Sequence, residues 1–177
     1  MHLNRILDVA VTAAKGAADI ILSASDQPKV VDHKGRNDLV TKTDKESEQY
    51  ICQAINDEFP EHGILAEESG STMPNADYQW FIDPLDGTTN FVHNYPSFAL
   101  SIGVHQNKKP IAGCIIELPI NNVYTAIKDQ GAYCNGEKIS VSKTDDLSQA
   151  LLVTGFGYEH GDVWERNMKL FRSEEHT

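Results

Sequence analysis

The feature that rules out most architectures is an abrupt change of texture at Pro60. Before it, apolar residues recur at helical spacing: Leu3, Ile6, Leu7, Ala10, Val11, Ala14, Ala18 and Ile21 predict one amphipathic helix that stops before Gln27-Pro28. A second helix is predicted from near Thr43. There Thr43-Asp44-Lys45-Glu46 fits a capping box, with Ile51, Ile55 and Phe59 on the inner side, and the polar run Lys42 to Ser47 reads as a capped helix face. After Pro60 the chain turns to short apolar runs separated by turn residues. Ile64 to Ala66, Trp80 to Ile82, Phe98 to Val104, Ile111 to Leu118, Val123 to Ala126 and Leu151 to Thr154 each predict a strand. A last helix is predicted from about Asp162 to Phe171, carrying Val163, Trp164, Met168 and Phe171. Helices followed by a run of strands argue for an α+β fold, with helices packed on one side of a largely antiparallel sheet.

Bulk composition narrows the function. A chain of 177 residues, 40% hydrophobic and 23% charged, is long enough to bury a core as one soluble domain and is unlike a disordered segment. Its formal charge of −11, with no basic block, argues against direct contact with nucleic acid. No run approaches the ~20 apolar residues that cross a bilayer, and the residues after Met1 lack the pattern of a signal peptide. Cys52, Cys114 and Cys134 are odd in number and widely spaced, which fits a reducing, cytoplasmic setting. Cys114 falls in an apolar strand and reads as a buried, inert thiol.

The chemistry concentrates in Trp80-Phe81-Ile82-Asp83-Pro84-Leu85-Asp86-Gly87-Thr88-Thr89-Asn90-Phe91. An apolar strand delivers Asp83 at its end, and Pro84 turns the chain so that Asp86 returns to the same point. Gly87 permits a tight backbone, and Thr88 and Thr89 offer hydroxyls and free N–H groups where a short helix begins, a place that suits a phosphate. Ile64-Leu65-Ala66-Glu67-Glu68-Ser69-Gly70 repeats the layout of a strand ending in acids. In Asp38-Leu39-Val40-Thr41-Lys42-Thr43-Asp44, Asp44 stands at a helix start. Carboxylates at strand ends, with no His or Cys among them, form a hard oxygen site suited to Mg²⁺ or Mn²⁺. Crowded acids need cations, because bare they repel and take up protons. The same acids, flanked by Pro84 and Gly87, also describe simple solvated turns. His93 is close in sequence but belongs to the cleft rim or solvent.

The segment Trp80 to Phe91, continued through Val92 to Gly103, resembles the D-P-(apolar)-D-G-T-x-N-F signature of inositol monophosphatases. The resemblance extends to Lys34 with Asp38 to Asp44, to Ala66-Glu67-Glu68-Ser69, to Gly131-Ala132-Tyr133-Cys134-Asn135-Gly136 and to Thr154-Gly155-Phe156, in the family's order. It implies that Glu67, Asp83 and the Leu85 carbonyl hold a first Mg²⁺, and that Asp83 and Asp86 share a second. Thr88 with Glu67 would orient the attacking water, and Asp44 would support Thr88. Lys34 and Glu68 would line the metal site, while Gly87, Thr88 and Asp86 would receive the substrate. The implied reaction is hydrolysis of inositol monophosphate or a related small polyol phosphate by metal-activated water. Within the same superfamily, a nucleotide 3'-phosphatase or a fructose-1,6-bisphosphatase is the other enzyme reading. A third, from a different class, is a regulatory partner of the transcription machinery.

The resemblance also implies a homodimer and a second, carboxy-terminal α/β domain whose Trp-Asp motif completes the second metal site. That motif is absent from the sequence. Residues 1–171 therefore read as the amino-terminal phosphatase domain of a truncated chain, inactive by itself. Arg172-Ser173-Glu174-Glu175-His176-Thr177 departs from the family where a helix is expected to continue, and reads as an artefactual or disordered tail.

Overall fold

The computed structural model describes residues 2–29, 31–33, 39–155 and 161–174. Helix α1 (His2–Ser25) turns a stripe of small residues inward. Ile6, Ala10, Ala13, Ala14, Ala17, Ala18 and Ile21 are buried, whereas Leu3, Leu7 and Val11 are only partly covered. The alanines let the helix axis lie close to the sheet. Strands β1 (Val31–His33) and β2 (Leu39–Thr41) form a small antiparallel pair leading into α2 (Lys42–Glu58).

The cap of α2 is Thr41 and not Thr43. The Thr41 side chain faces the Asp44 N–H, and the Asp44 carboxylate returns to the Thr41 N–H. Both threonines satisfy the short capping pattern. Thr43 lies inside the first turn and is buried, as are Asp44 and Ser47, so the run Lys42 to Ser47 is partly an inner face. Phe59 closes the helix immediately before Pro60.

The remaining strands are β3 (Gly63–Ala66), β4 (Gly70–Thr72), β5 (Tyr78–Asp86), β6 (Phe98–Gln106), β7 (Lys109–Leu118), β8 (Asn122–Ile127), β9 (Gly131–Cys134) and β10 (Glu137–Ile139). They make one eight-stranded sheet in the order β10-β9-β8-β7-β6-β5-β3-β4. Every neighbouring pair is antiparallel except β3 with β5, which is parallel. The fold is thus α+β with a mostly antiparallel sheet. Helices α1 and α2 cover one face, α1 over β6 to β8 and α2 over β5. On β6, Phe98, Leu100, Ile102 and Val104 point under the helices, while Ala99, Ser101 and Gly103 face away. On that other face Leu65, Phe81, Ile115 and Ile139 are exposed.

Two expectations need correction. Leu151 to Thr154 is not a strand: Leu151, Leu152 and Val153 are exposed, and no neighbouring strand satisfies their backbone among the described residues. Pro84 does not end β5, which continues to Asp86 through an irregularity. The last helix, α4 (Asp162–Glu174), forms as expected and runs past Phe171. Phe156 lies outside the described residues.

Candidate active site

Two strands running the same way leave their ends side by side. The parallel register pairs Ala66 with Ile82, so the next residues, Glu67 and Asp83, emerge together, and the Glu67 N–H is held by the Ile82 carbonyl at 3.2 Å. Alternation along β5 buries Trp80 and Ile82 under α2 and sends Phe81 and Asp83 to the opposite face. A groove of about 380 Å³ runs along this face, lined by Leu65, Glu67, Phe81, Asp83 and Ser101.

Asp86 reaches the same face through a bulge. Residues three apart on a regular strand point to opposite faces. Here Asp83 faces Ser101 and Asp86 faces Ala99, so three steps on β5 match two on β6. The extra residue restores the phase and brings both acids to the open side. Pro84, which cannot donate to a ladder, sits within the irregular stretch.

These acids perturb one another. The Asp83 carboxyl is pushed up to about 7, first by burial, then by the charges of Glu67 and Asp86 and by a hydrogen bond shared with Glu67. The Leu85 N–H, donating to Asp83 Oδ1 at 3.2 Å, opposes the shift. Among the described residues no three His, Cys, Asp or Glu side chains are arranged as a set ready to enclose an ion. Glu67 and Asp86 thus act through their charges on an Asp83 carboxyl that burial already holds toward its neutral form. Among the described residues the donors gathered here are oxygens, which fit a hard cation such as Mg²⁺ and not a zinc site.

Thr88 stands beside the acids at the start of the short helix α3 (Thr88–Val92). Its Oγ1 is 3.0 Å from Asp44 Oδ1 and 3.0 Å from the Leu85 carbonyl. Asp44 is 2% exposed, and its Oδ2 already accepts the Thr41 N–H at 2.8 Å and the Thr41 hydroxyl. Gly87 precedes α3 at φ 85, where a Cβ would come within 3.2 Å of the Ser97 carbonyl oxygen.

Thus Asp44, Glu67, Asp83, Leu85, Asp86, Gly87 and Thr88 come from α2, the β3–β4 turn, β5 and the start of α3 to one end of the sheet. Lys34, expected to line the metal site, lies outside the described residues, as does Asp38. Glu68 is half-buried in the turn after β3, and its N–H is held by Glu48. His93 is exposed and Cys114 is buried in β7, as expected.

Two residues were missed by sequence reasoning. Glu48 is 3% exposed, and its carboxylate accepts the Glu68 and Ser69 N–H groups. Its signal was an acid four residues after Asp44, in phase with Ile51 and Ile55. His62 is 2% exposed, stacked between Phe59 and Tyr78, and accepts the Trp80 indole N–H at 3.0 Å on Nδ1. Nothing local distinguishes it from a turn histidine.

Comparison with known proteins identifies the family. The model of the inositol monophosphatase family matches residues 2–177. The chain is 47% identical over 174 residues to the chloroplastic phosphatase IMPL1 of Arabidopsis thaliana, covering 94% of this chain and 47% of that one. Among solved structures, the inositol monophosphatase of Anabaena (Nostoc) sp. PCC 7120 superposes with a TM-score of 0.79 at 39% identity, over 89% of this chain and 57% of that one. A dual-specific IMPase/NADP phosphatase bound with D-inositol-1-phosphate gives 0.69 at 29% identity, over 77% and 52%. The chain spans about half the length of the curated relatives it matches. A family model that extends over the described elements, together with acids that converge as its signature requires, leaves one conclusion: the chain belongs to the inositol monophosphatase family.

Proposed function

We propose that this chain supplies the metal-holding half of a Mg²⁺-dependent phosphomonoesterase acting on inositol monophosphate or a related small polyol phosphate. The observation that carries this reading is the Thr88 hydroxyl, held between Asp44 and the Leu85 carbonyl and next to the Glu67–Asp83 pair. Glu67, Asp83 and the Leu85 carbonyl are assigned to a first ion, and Asp83 with Asp86 to a second. Bound there, Mg²⁺ supplies an acidified water and neutralises charge on the phosphate oxygens.

The protein's own groups do the orienting. A hydroxyl has one proton to give. Asp44 Oδ2 is occupied by Thr41, and its Oδ1 and the Leu85 carbonyl are the two acceptors within reach of the Thr88 hydroxyl proton. Thr88 Oγ1 can then accept a hydrogen bond from a water that Glu67 would also hold. That water's own lone pair is turned toward phosphorus. Gly87, Thr88 and Asp86 are assigned to the phosphate side; a residue with a Cβ at 87 would be pressed on the Ser97 carbonyl.

The neighbour bound with D-inositol-1-phosphate supports a phosphorylated polyol as substrate. Cys52, Cys114 and Cys134 are free thiols, which supports a reducing, cytoplasmic compartment. No helix of the described residues is long and apolar enough to cross a membrane. The formal charge of −11 supports a role without direct nucleic-acid contact, and a homodimer is part of the same reading.

The test is phosphate release from inositol monophosphate with Mg²⁺, in this chain and in a hybrid extended by the remaining length of the Anabaena relative. The hybrid is expected to turn over and the chain alone to show negligible activity. Asp83→Asn or Asp86→Asn in the hybrid should abolish turnover with the fold intact by circular dichroism. Either variant remaining within about tenfold of its parent would sink the assignment.

A further inference from the structure

One face of α2 carries two acids a turn apart. Asp44 reaches forward to Thr88, and Glu48 reaches across to the turn that carries Glu67. The Glu48 carboxylate accepts the Glu68 N–H at 2.7 Å and the Ser69 N–H at 2.8 Å, one oxygen to each amide. It is 3% exposed, and among the described residues it forms no ion pair with a Lys or Arg. A buried carboxylate is costly unless hydrogen bonds replace its water, and two backbone donors on a charged acceptor are the strong kind.

The turn it holds spans Glu67 to Ser69 and closes at Gly70, whose φ is 80. Glu67 is therefore fixed from both sides. Its own N–H is tied to Ile82 of β5, and the two peptides that follow are tied to α2. Without Glu48 the Glu68 and Ser69 amides would lose these acceptors, and the turn that carries Glu67 would lose this tie to α2.

We propose that Glu48 is a positioning residue for cation binding: through the Glu68 and Ser69 amides it aims Glu67 at the ion, while Asp44 on the same helix aims Thr88. This rests on the metal-binding reading of the site, and it adds a residue that touches neither ion nor substrate. Helix α2 then sets the spacing between two parts of the site that are 21 residues apart in the chain.

The test uses the 177-residue chain with Mn²⁺ alone, titrated by electron paramagnetic resonance and calorimetry, together with amide hydrogen exchange. Glu67→Gln reports on the metal reading and Glu48→Gln on positioning. Glu48→Gln keeps the side chain's size but sets an NH₂ against one of the two amides. Loss of an outer-shell partner of a ligand weakens binding roughly 10- to 100-fold. We expect that drop for Glu48→Gln, with loss of protection at the Glu68 and Ser69 amides and unchanged protection in β6 and β7. If Glu67→Gln leaves Mn²⁺ affinity unaltered, the metal reading itself fails. If Glu67→Gln weakens binding and Glu48→Gln does not, positioning alone is overturned. Should Glu48→Gln not fold, exchange in the wild-type chain decides: Glu68 and Ser69 amides no slower than those of residues 73–77 would overturn the proposal.

Discussion

A cation that binds as proposed competes with a proton for Asp83. With that carboxyl near 7, in a metal-free site where burial, Glu67 and Asp86 all raise it, binding is coupled to the loss of one proton. For a single such group, the apparent affinity at about pH 5 should be roughly 90-fold below that at about pH 8. Calorimetry with Mg²⁺ or Mn²⁺ in two buffers of different ionisation enthalpy counts the protons released, and about 0.9 per ion is expected near pH 6. Asp86→Asn removes one of the charges that lift Asp83, so the fall in affinity should move to lower pH. The metal-free fold should show the opposite sign to the usual carboxylate. Asp83 binds its proton more tightly folded than unfolded, so its stabilising share is present below the ordinary value of 3.8 and is lost as pH rises through about 7. An affinity that is flat between these pH values, with no buffer-dependent heat, would refute the raised Asp83 carboxyl and the crowding of acids that raises it.

Three further outcomes are expected. Thr88→Ala in the extended hybrid should lower kcat by roughly 10²-fold with little change in Mg²⁺ affinity, since the hydroxyl orients water and holds no ion; a collapse of metal affinity by calorimetry would assign it differently. His62→Ala should cost about 2–4 kcal/mol in urea unfolding, because it leaves the buried Trp80 N–H without its acceptor and opens space between Phe59 and Tyr78; a loss below about 0.5 kcal/mol would refute that. Gly87→Ala should destabilise by about 1–2 kcal/mol, from the left-handed backbone at φ 85 and the Ser97 carbonyl 3.2 Å from the new Cβ; unchanged thermal unfolding would show that the turn adjusts without strain.

Much of this protein was legible in the chain alone because the signals are local. The helical period through Ile6, Ala10, Ala14 and Ile21, the short runs after Pro60, and acids that follow apolar strands at Glu67 and Asp83 depend on neighbours a few residues away. They predicted the α+β class and named the residues that converge. The exceptions are positions where two local readings were equal and a distant partner chose between them. Thr41 and Thr43 both begin a capping pattern; Thr41 is the cap, and that arrangement leaves Asp44 Oδ1 for Thr88, 44 residues on. The residues Leu151 to Val153 are as apolar as a strand, yet no strand lies beside them among the described residues to accept their hydrogen bonds. Asp83 and Asp86 are the sharpest case. Their spacing of three puts them on opposite faces of any regular strand, and only the pairing of β5 with Ser101 and Ala99 of β6 reveals the extra residue that turns both to one side. Sequence determines which groups are available and which local shapes they prefer. Whether two carboxylates meet depends on register, and register is a property of the neighbouring strand.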